Sequence, residues 1–286
     1  MLNQKLAEAM QRILSKHDER FTLTVAMQDL IDAGLGTKRG KSAHFTAKDK
    51  AEMRTWLQAK GFTVEQVNLS GMNRSERLTV TPLEKAGGEA IKRNRVSIKA
   101  LAGEPLLIGE GHLKLPTESH LDVDWTKIAD KIGHQCVMVV ENYENFNRVH
   151  ELALVLPDRY QSPLVIYRGD PNESRFDNVL KFCTHIDLPV LAFMDADPAG
   201  IAIACQLPGL IGMILPSLDV LESQLSNQHT ARIDLFHDQY PVYGRTLERL
   251  DAGHPCKPVW DLVSKHAAGV VQERWITGCI CTLIAC

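Results

Sequence analysis

Apolar residues recur along the chain in two registers, and the change between them near Trp125 divides it. Ahead of that point the spacing is helical. Leu2, Leu6, Met10, Ile13 and Leu14 fall on one face of a first segment that charges interrupt throughout, unlike a signal peptide. Thr46–Lys60 (TAKDKAEMRTWLQAK) reads as a further helix, with Thr46 as its N-cap and Gly61 as its stop. Phe62–Val67 and Arg77–Val80 alternate over short runs and are expected to pair as the wing of a winged helix. Pro82–Ala100 reads as a helix carrying Lys92, Arg93, Arg95 and Lys99. Leu106–Asp124 alternates between Gly, Pro and Thr-Glu-Ser breaks and reads as a β-rich connector.

Beyond Trp125 the apolar runs become continuous. Val137–Val140, Leu164–Tyr167, Val190–Met194 and Leu210–Leu215 are each unbroken, with helix-length stretches between them. Strands of this kind are covered on both faces, which predicts a parallel sheet with crossover helices. Pro198–Leu218 holds no charged residue and is long enough to cross a bilayer. Gln206, Pro208 and Pro216 interrupt it, so the expectation is a buried helix from Ala199 to about Gln206, a turn at Pro208-Gly209 and a buried strand, with no membrane span. The predicted fold class is α/β, in three parts. Residues 1–105 form a mainly helical, winged-helix-like domain, 106–126 a β-rich connector, and 127–286 a domain built on the parallel sheet.

Charge sharpens this division. Residues 1–100 carry 18 Lys and Arg against 11 Asp and Glu, whereas the remainder carries 14 against 24. Helices, a small hairpin and surplus positive charge fit a DNA-binding module, and they equally fit an ordinary solvated helical domain. The seven cysteines have no scaffold spacing, which points to a reducing, cytoplasmic setting.

Two of the apolar strands end in acid. Val137–Val140 runs into Glu141, and Val190–Met194 runs into Asp195-Ala196-Asp197-Pro198-Ala199-Gly200. Carboxyl ends of strands line the ligand crevice of an open α/β sheet, so Glu141, Asp195 and Asp197 are expected to converge. Two carboxylates about 4 Å apart repel by roughly 4 kcal/mol at an effective dielectric of 20. A Mg²⁺ or Mn²⁺ ion bound to hard oxygen ligands offsets that cost. Gly200 admits close approach of backbone or phosphate. Asp197-Pro198 is also a good helix start by itself, a reading that leaves Asp195 and Glu141 unexplained.

The order strand–Glu, strand–Gly, strand–DxDxxG resembles the Toprim domain of topoisomerases, primases and several nucleases. It is most similar to the topoisomerase VI A subunit, its meiotic relatives and the JetD-type nuclease subunits of condensin-like plasmid-defence systems. The residues that carry the resemblance are VMVVENYENF (137–146), IYRGDPNESRFDNVLKF (166–182) and LPVLAFMDADPAGIAIA (188–204). The resemblance covers about residues 113–273. It implies that Glu141, Asp195 and Asp197 are catalytic metal ligands. Gly169, Pro171 and Arg175 match a Gly-x-Pro turn and a following arginine, with Arg175 on phosphate or on the solvated helix surface. Gln272-Glu273 matches a late acidic pair, which makes Glu273 a further metal ligand. The resemblance further implies DNA as substrate, Gly169 near its phosphates, a homodimer, and an SMC-like ATPase partner; Gly200, by its missing side chain, and Lys92, Arg93 and Arg95, by their charge, are the other expected DNA- or phosphate-contacting residues.

Topoisomerase VI and its meiotic relatives cut with a tyrosine ahead of the Toprim domain, and this chain has no tyrosine before Tyr143. The expectation is therefore metal-dependent hydrolysis of DNA phosphodiesters by the JetD-like route. The alternatives are a non-catalytic DNA- or partner-binding scaffold, a topoisomerase-like strand breaker, and a phosphotransferase of small phosphoesters. His254-x-Cys256 and Cys279-x-Cys281 depart from the usual two-to-four-residue zinc spacing, so zinc is not expected. The uncharged tail Trp275–Cys286 is expected to pack on its own core or on a second subunit. No P-loop or dinucleotide motif occurs.

Overall fold

The computed structural model describes residues 4–65, 94–170 and 175–285. The chain divides into two compact units, Met1–Arg93 and Asn94–Cys286.

The front unit contains helices α1 (Gln4–Leu14), α2 (Val25–Asp32) and α3 (Ala47–Ala59) and strands β1 (Arg20–Thr22), β2 (Thr37–Arg39) and β3 (Ser42–His44), which pair in the order β1-β3-β2. α3 begins as the sequence predicts. The Thr46 hydroxyl accepts from the Asp49 N–H, the Asp49 carboxylate accepts from the Thr46 N–H, and Gly61 beyond the helix has φ 74°. Met10, Ile13, Met27, Leu30, Leu35, Phe45, Met53 and Leu57 close a small core of their own.

The expected wing, Phe62–Val67 and Arg77–Val80, falls largely outside the described residues. Residues 62–65 are not strand, and the rest of both segments lies outside the described residues. Among the described residues the front unit has a hairpin at β2–β3, turning at Gly40, with Lys38, Arg39 and Lys41 exposed. The expected helix 82–100 is corrected over its described end. Arg95–Lys99 is strand β4, and residues 82–93, with Lys92 and Arg93, lie outside the described residues. Val96 and Ile98 enter the core of the rear unit, so the segment pairs in a sheet despite its basic ends.

The rear unit adds β5 (Leu106–Ile108), β6 (Gly111–Leu113), β7 (Leu121–Asp124), β8 (Val137–Val140), β9 (Ala153–Val155), β10 (Leu164–Tyr167), β11 (Val190–Phe193), β12 (Leu210–Pro216) and β13 (Ile280–Ile284). Its helices are α4 (Tyr143–Asn147), α5 (Phe176–Ile186), α6 (Pro198–Ala204), α7 (Leu218–Ser226), α8 (Ile233–Leu247) and α9 (Lys257–His266). Eight strands form one mixed sheet in the order β7-β4-β10-β8-β11-β12-β13-β9, while β5 and β6 make a separate hairpin. The four continuous apolar runs are its centre. β10, β8, β11 and β12 are mutually parallel, and all residues of β8, β10 and β11 are buried.

The uncharged segment behaves as predicted: α6, a turn at Gly209 with φ 69°, then β12. Among the described residues no helix is long and apolar enough to cross a membrane. The apolar tail packs on its own core, with Trp275 fully buried and β13 seated between β12 and β9.

Candidate metal centre

Parallel pairing sets Val140 opposite Phe193 in the neighbouring strand, so both chains leave the sheet at the same edge. Glu141 follows directly on one strand, and Asp195 lies two residues past the other. The Glu141 N–H donates to the Phe193 carbonyl at 3.0 Å, and the Asp195 N–H donates to Glu141 Oε2 at 3.2 Å. A third segment arrives from residues 270–273. Ala196 and Val270 exchange backbone hydrogen bonds, which brings the Gln272 N–H to Asp195 Oδ1 at 2.8 Å. Glu273 follows, its Oε1 accepting from Asn142 Nδ2 at 2.6 Å.

The four expected metal carboxylates therefore share one electrostatic neighbourhood. Burial raises the Asp195 carboxyl to about 7, reinforced by the charge of Glu141 and then by those of Asp197 and Glu273. Burial raises Glu141 as well. The Asp195 N–H and Arg168 pull it down, while Asp197 and Glu273 push it up. Arg168 Nε stands 3.9 Å from Glu141 Oε1, close enough to attract but too far to hydrogen-bond.

Asp197 has a second employment. Its Oδ1 accepts from the Gly200 N–H at 2.7 Å as N-cap of α6, and its Oδ2 accepts from Gln239 Nε2 at 2.9 Å. Gln239 Oε1 in turn accepts from the Ala199 N–H at 2.9 Å. This pairing satisfies a carboxylate that is only 3% exposed. Among the described residues, no three of the four carboxyls bring one oxygen each within 4.8 Å of one another.

The donor set nevertheless suits a hard divalent cation. All its ligand atoms are carboxylate oxygens, two of them on groups whose burial disfavours unpaired negative charge. Beside Asp195, the fully buried Gln272 has neither side-chain amide atom hydrogen-bonded. An unmet buried amide costs on the order of 1–3 kcal/mol, which the water of a hydrated ion within its reach would relieve. Glu141 and Asp195 are best placed to hold such an ion. Glu273 would have to give up Asn142 to join them, and Asp197 would have to give up Gln239.

The glycines serve backbone approach. A Cβ on Gly200 would meet the Asp195 carbonyl oxygen at 2.3 Å, so the glycine lets α6 start directly against the Asp195 turn. Gly169, at φ 92°, turns the chain after β10. The remaining phosphate candidates are dispersed. Arg175 is 68% exposed and paired with Asp177 at 2.9 Å, though it lines the same surface depression as Arg168 and Gly169. Arg95 binds Asp122 through Nε at 2.9 Å and the Asp122 carbonyl through Nη2. Lys99 is buried and donates to the Phe146 and Asn147 carbonyls at the end of α4. Pro171 lies outside the described residues.

Arg168 and Gln239 were not singled out from the sequence, and Gln272 entered only as the neighbour of Glu273. Arg168 had a usable signal, since it directly follows the apolar run of β10, the neighbour of β8. No curated protein matches the chain. The model of a family described as Domain of unknown function (DUF7281) matches residues 93–280, a span that includes β4 and all four site carboxylates. The chain belongs to the DUF7281 family.

Proposed function

We propose that the protein is a Mg²⁺- or Mn²⁺-dependent DNA endonuclease of Toprim type, acting as the cleaving subunit of a complex with an SMC-like ATPase. One observation carries this reading. Glu141 and Asp195, on adjacent parallel strands, are joined by the Asp195 N–H at 3.2 Å, while the charges of Asp197 and Glu273 bear on both. A divalent ion supplies charge neutralisation and an activated water at such a set of oxygens. The chain's own part is to hold Glu141 and Asp195 in place, through the Phe193 carbonyl and the Gln272 N–H, and to keep Asp195 unpaired with any basic side chain among the described residues. Arg168, beside Glu141 and at the rim of the depression that Arg175 also lines, is suited to a phosphate oxygen. On the front unit, exposed Lys38, Arg39 and Lys41 give the β2–β3 hairpin a positive tip of the kind that attracts a nucleic-acid backbone.

The occupied state of Asp197 favours a second reading, a scaffold that binds DNA or a partner without chemistry. Supercoiled plasmid incubated with the protein and Mg²⁺ or Mn²⁺, with and without the ATPase partner, separates the two. Nicking that disappears in Glu141→Ala and Asp195→Ala supports the nuclease. Intact plasmid under every condition supports the scaffold. A tyrosine–DNA adduct on denaturing gels would instead reveal a topoisomerase-like breaker.

A further inference from the structure

A second group of ligand-type side chains lies in the rear unit, apart from the carboxylates, and joins residues some fifty positions apart. Cys205 is the C-cap of α6. Cys256 is the N-cap residue of α9, and His254 stands in the turn before it. One ring nitrogen of His254 and the two sulfurs lie within 4.8 Å of one another. Both cysteines are reduced. Cys256 is fully buried, while Cys205 and His254 are half-buried.

The turn holds its ligands in place. The His254 N–H donates to the Asp251 carbonyl at 2.9 Å, the Lys257 N–H to the His254 carbonyl at 2.8 Å, and the Cys256 N–H to His254 Nδ1 at 3.1 Å.

Two sulfurs and an imidazole select a borderline-soft ion, and zinc holds such ligands at about 2.3 Å for sulfur and about 2.0 Å for nitrogen. In a tetrahedron those lengths put the ligand atoms about 3.5–3.8 Å apart, so small side-chain adjustments close the present spacing. The partner of His254-x-Cys256 is thus Cys205. Cys279 meets Gln224, and Cys281 is bound into β13.

We propose that Cys205, His254 and Cys256 form a zinc site with water in the fourth position, fastening the 251–256 turn to the far end of the helix that Asp197 begins. Binding deprotonates the thiols, whose protons pass to solvent. The site is independent of the carboxylate chemistry.

The test uses the full chain, kept reduced, loaded with Zn²⁺ and desalted, with metal content measured per chain. Co²⁺ loading adds a spectroscopic readout of thiolate ligation. The expected result is one zinc per chain, a sulfur-to-cobalt charge-transfer band, and at least a tenfold loss of affinity in Cys205→Ser and in His254→Ala. Both substituted side chains are partly exposed, and circular dichroism checks their fold, which matters because Cys256→Ser alters a core position. Asp195→Asn is expected to retain the zinc. Less than a tenth of an equivalent in reduced wild-type protein overturns the proposal. Equal zinc in all variants overturns it too, as does a Cys205–Cys256 disulfide whose reduction restores no zinc binding.

Discussion

The Asp195 N–H donates to Glu141 Oε2 at 3.2 Å, so a backbone group of one residue binds the side chain of the other while their carboxylates repel. The hydrogen bond keeps two strand ends together against a repulsion that falls only on proton or cation binding.

That opposition gives a pH dependence in the metal-free protein. The folded-state value of Asp195, about 7, lies above its ordinary 3.8. A raised carboxyl favours the folded state in acid, and this contribution is lost as pH rises from about 4 to about 7. Asp195→Asn mimics the protonated group and keeps an acceptor for the Gln272 N–H. Urea unfolding in chelator is expected to show the variant more stable than wild type at pH 8 and nearly equal at pH 4. Added Mg²⁺ is expected to stabilise wild type at pH 8 and not the variant. A variant less stable than wild type at pH 8 contradicts this account.

Substitution of Asp197 can separate helix capping from the proposed catalysis. Asp197→Ala removes the N-cap of α6 and strands Gln239 Nε2, at an expected loss of about 2–4 kcal/mol by chemical denaturation. Asp197→Asn keeps the acceptor for Gly200 and sets one amide group against another, for about 1 kcal/mol. A folded Asp197→Asn protein without plasmid nicking assigns Asp197 a part in the chemistry. Full nicking in that variant leaves it the helix start alone.

Gly200→Ala forces a Cβ to within 2.3 Å of the Asp195 carbonyl oxygen, a backbone atom that cannot rotate away. The expected cost is about 3 kcal/mol, with weakened divalent-cation binding because the Asp195 turn must move. Unfolding midpoints and calorimetric Mg²⁺ titration measure the two effects. An unaltered midpoint would mean that the turn is softer than its contacts indicate.

His134 predicts an acid-side effect. Its Nε2 accepts from the Leu107 N–H at 3.0 Å, and its Nδ1 faces the Ser162 carbonyl at 3.0 Å, an arrangement that requires the neutral ring. Burial lowers it below the usual 6.5. The associated stability is fully present above about pH 6.5 and is lost as pH falls through the depressed folded-state value. His134→Gln is expected to be less stable than wild type at pH 7 and to lose less between pH 7 and pH 5 in thermal melts. Parallel losses in the two proteins would place the acid sensitivity elsewhere.

Much of the rear unit was legible because burial on both faces leaves an unmistakable mark. Val137–Val140 and Leu164–Tyr167 are strands with the predicted ends, and the acids that follow β8 and β11 meet because those strands are neighbours. The α3 capping box was equally local. Arg95–Lys99 misled because its basic ends resemble a solvated helix, whereas Lys99 spends its charge on buried carbonyls of α4. β2 is fully exposed and only three residues long, so no alternation announces it. Gln239 and Gln272 reach the site from distant segments, and a single glutamine has no periodic signature. The same distance hid Cys205 from His254 and Cys256.

The insertion of β13 between β12 and β9 bears on biosynthesis. Among the described residues Ala153–Val155 finds its parallel partner in Ile280–Thr282, and β12 finds its second neighbour in the same strand. Until residue 284 has left the ribosome, both strands present bare edges, which are templates for wrong pairing. The rear unit therefore completes its sheet after translation has passed that point, and a nascent chain stalled earlier is a natural client for chaperones.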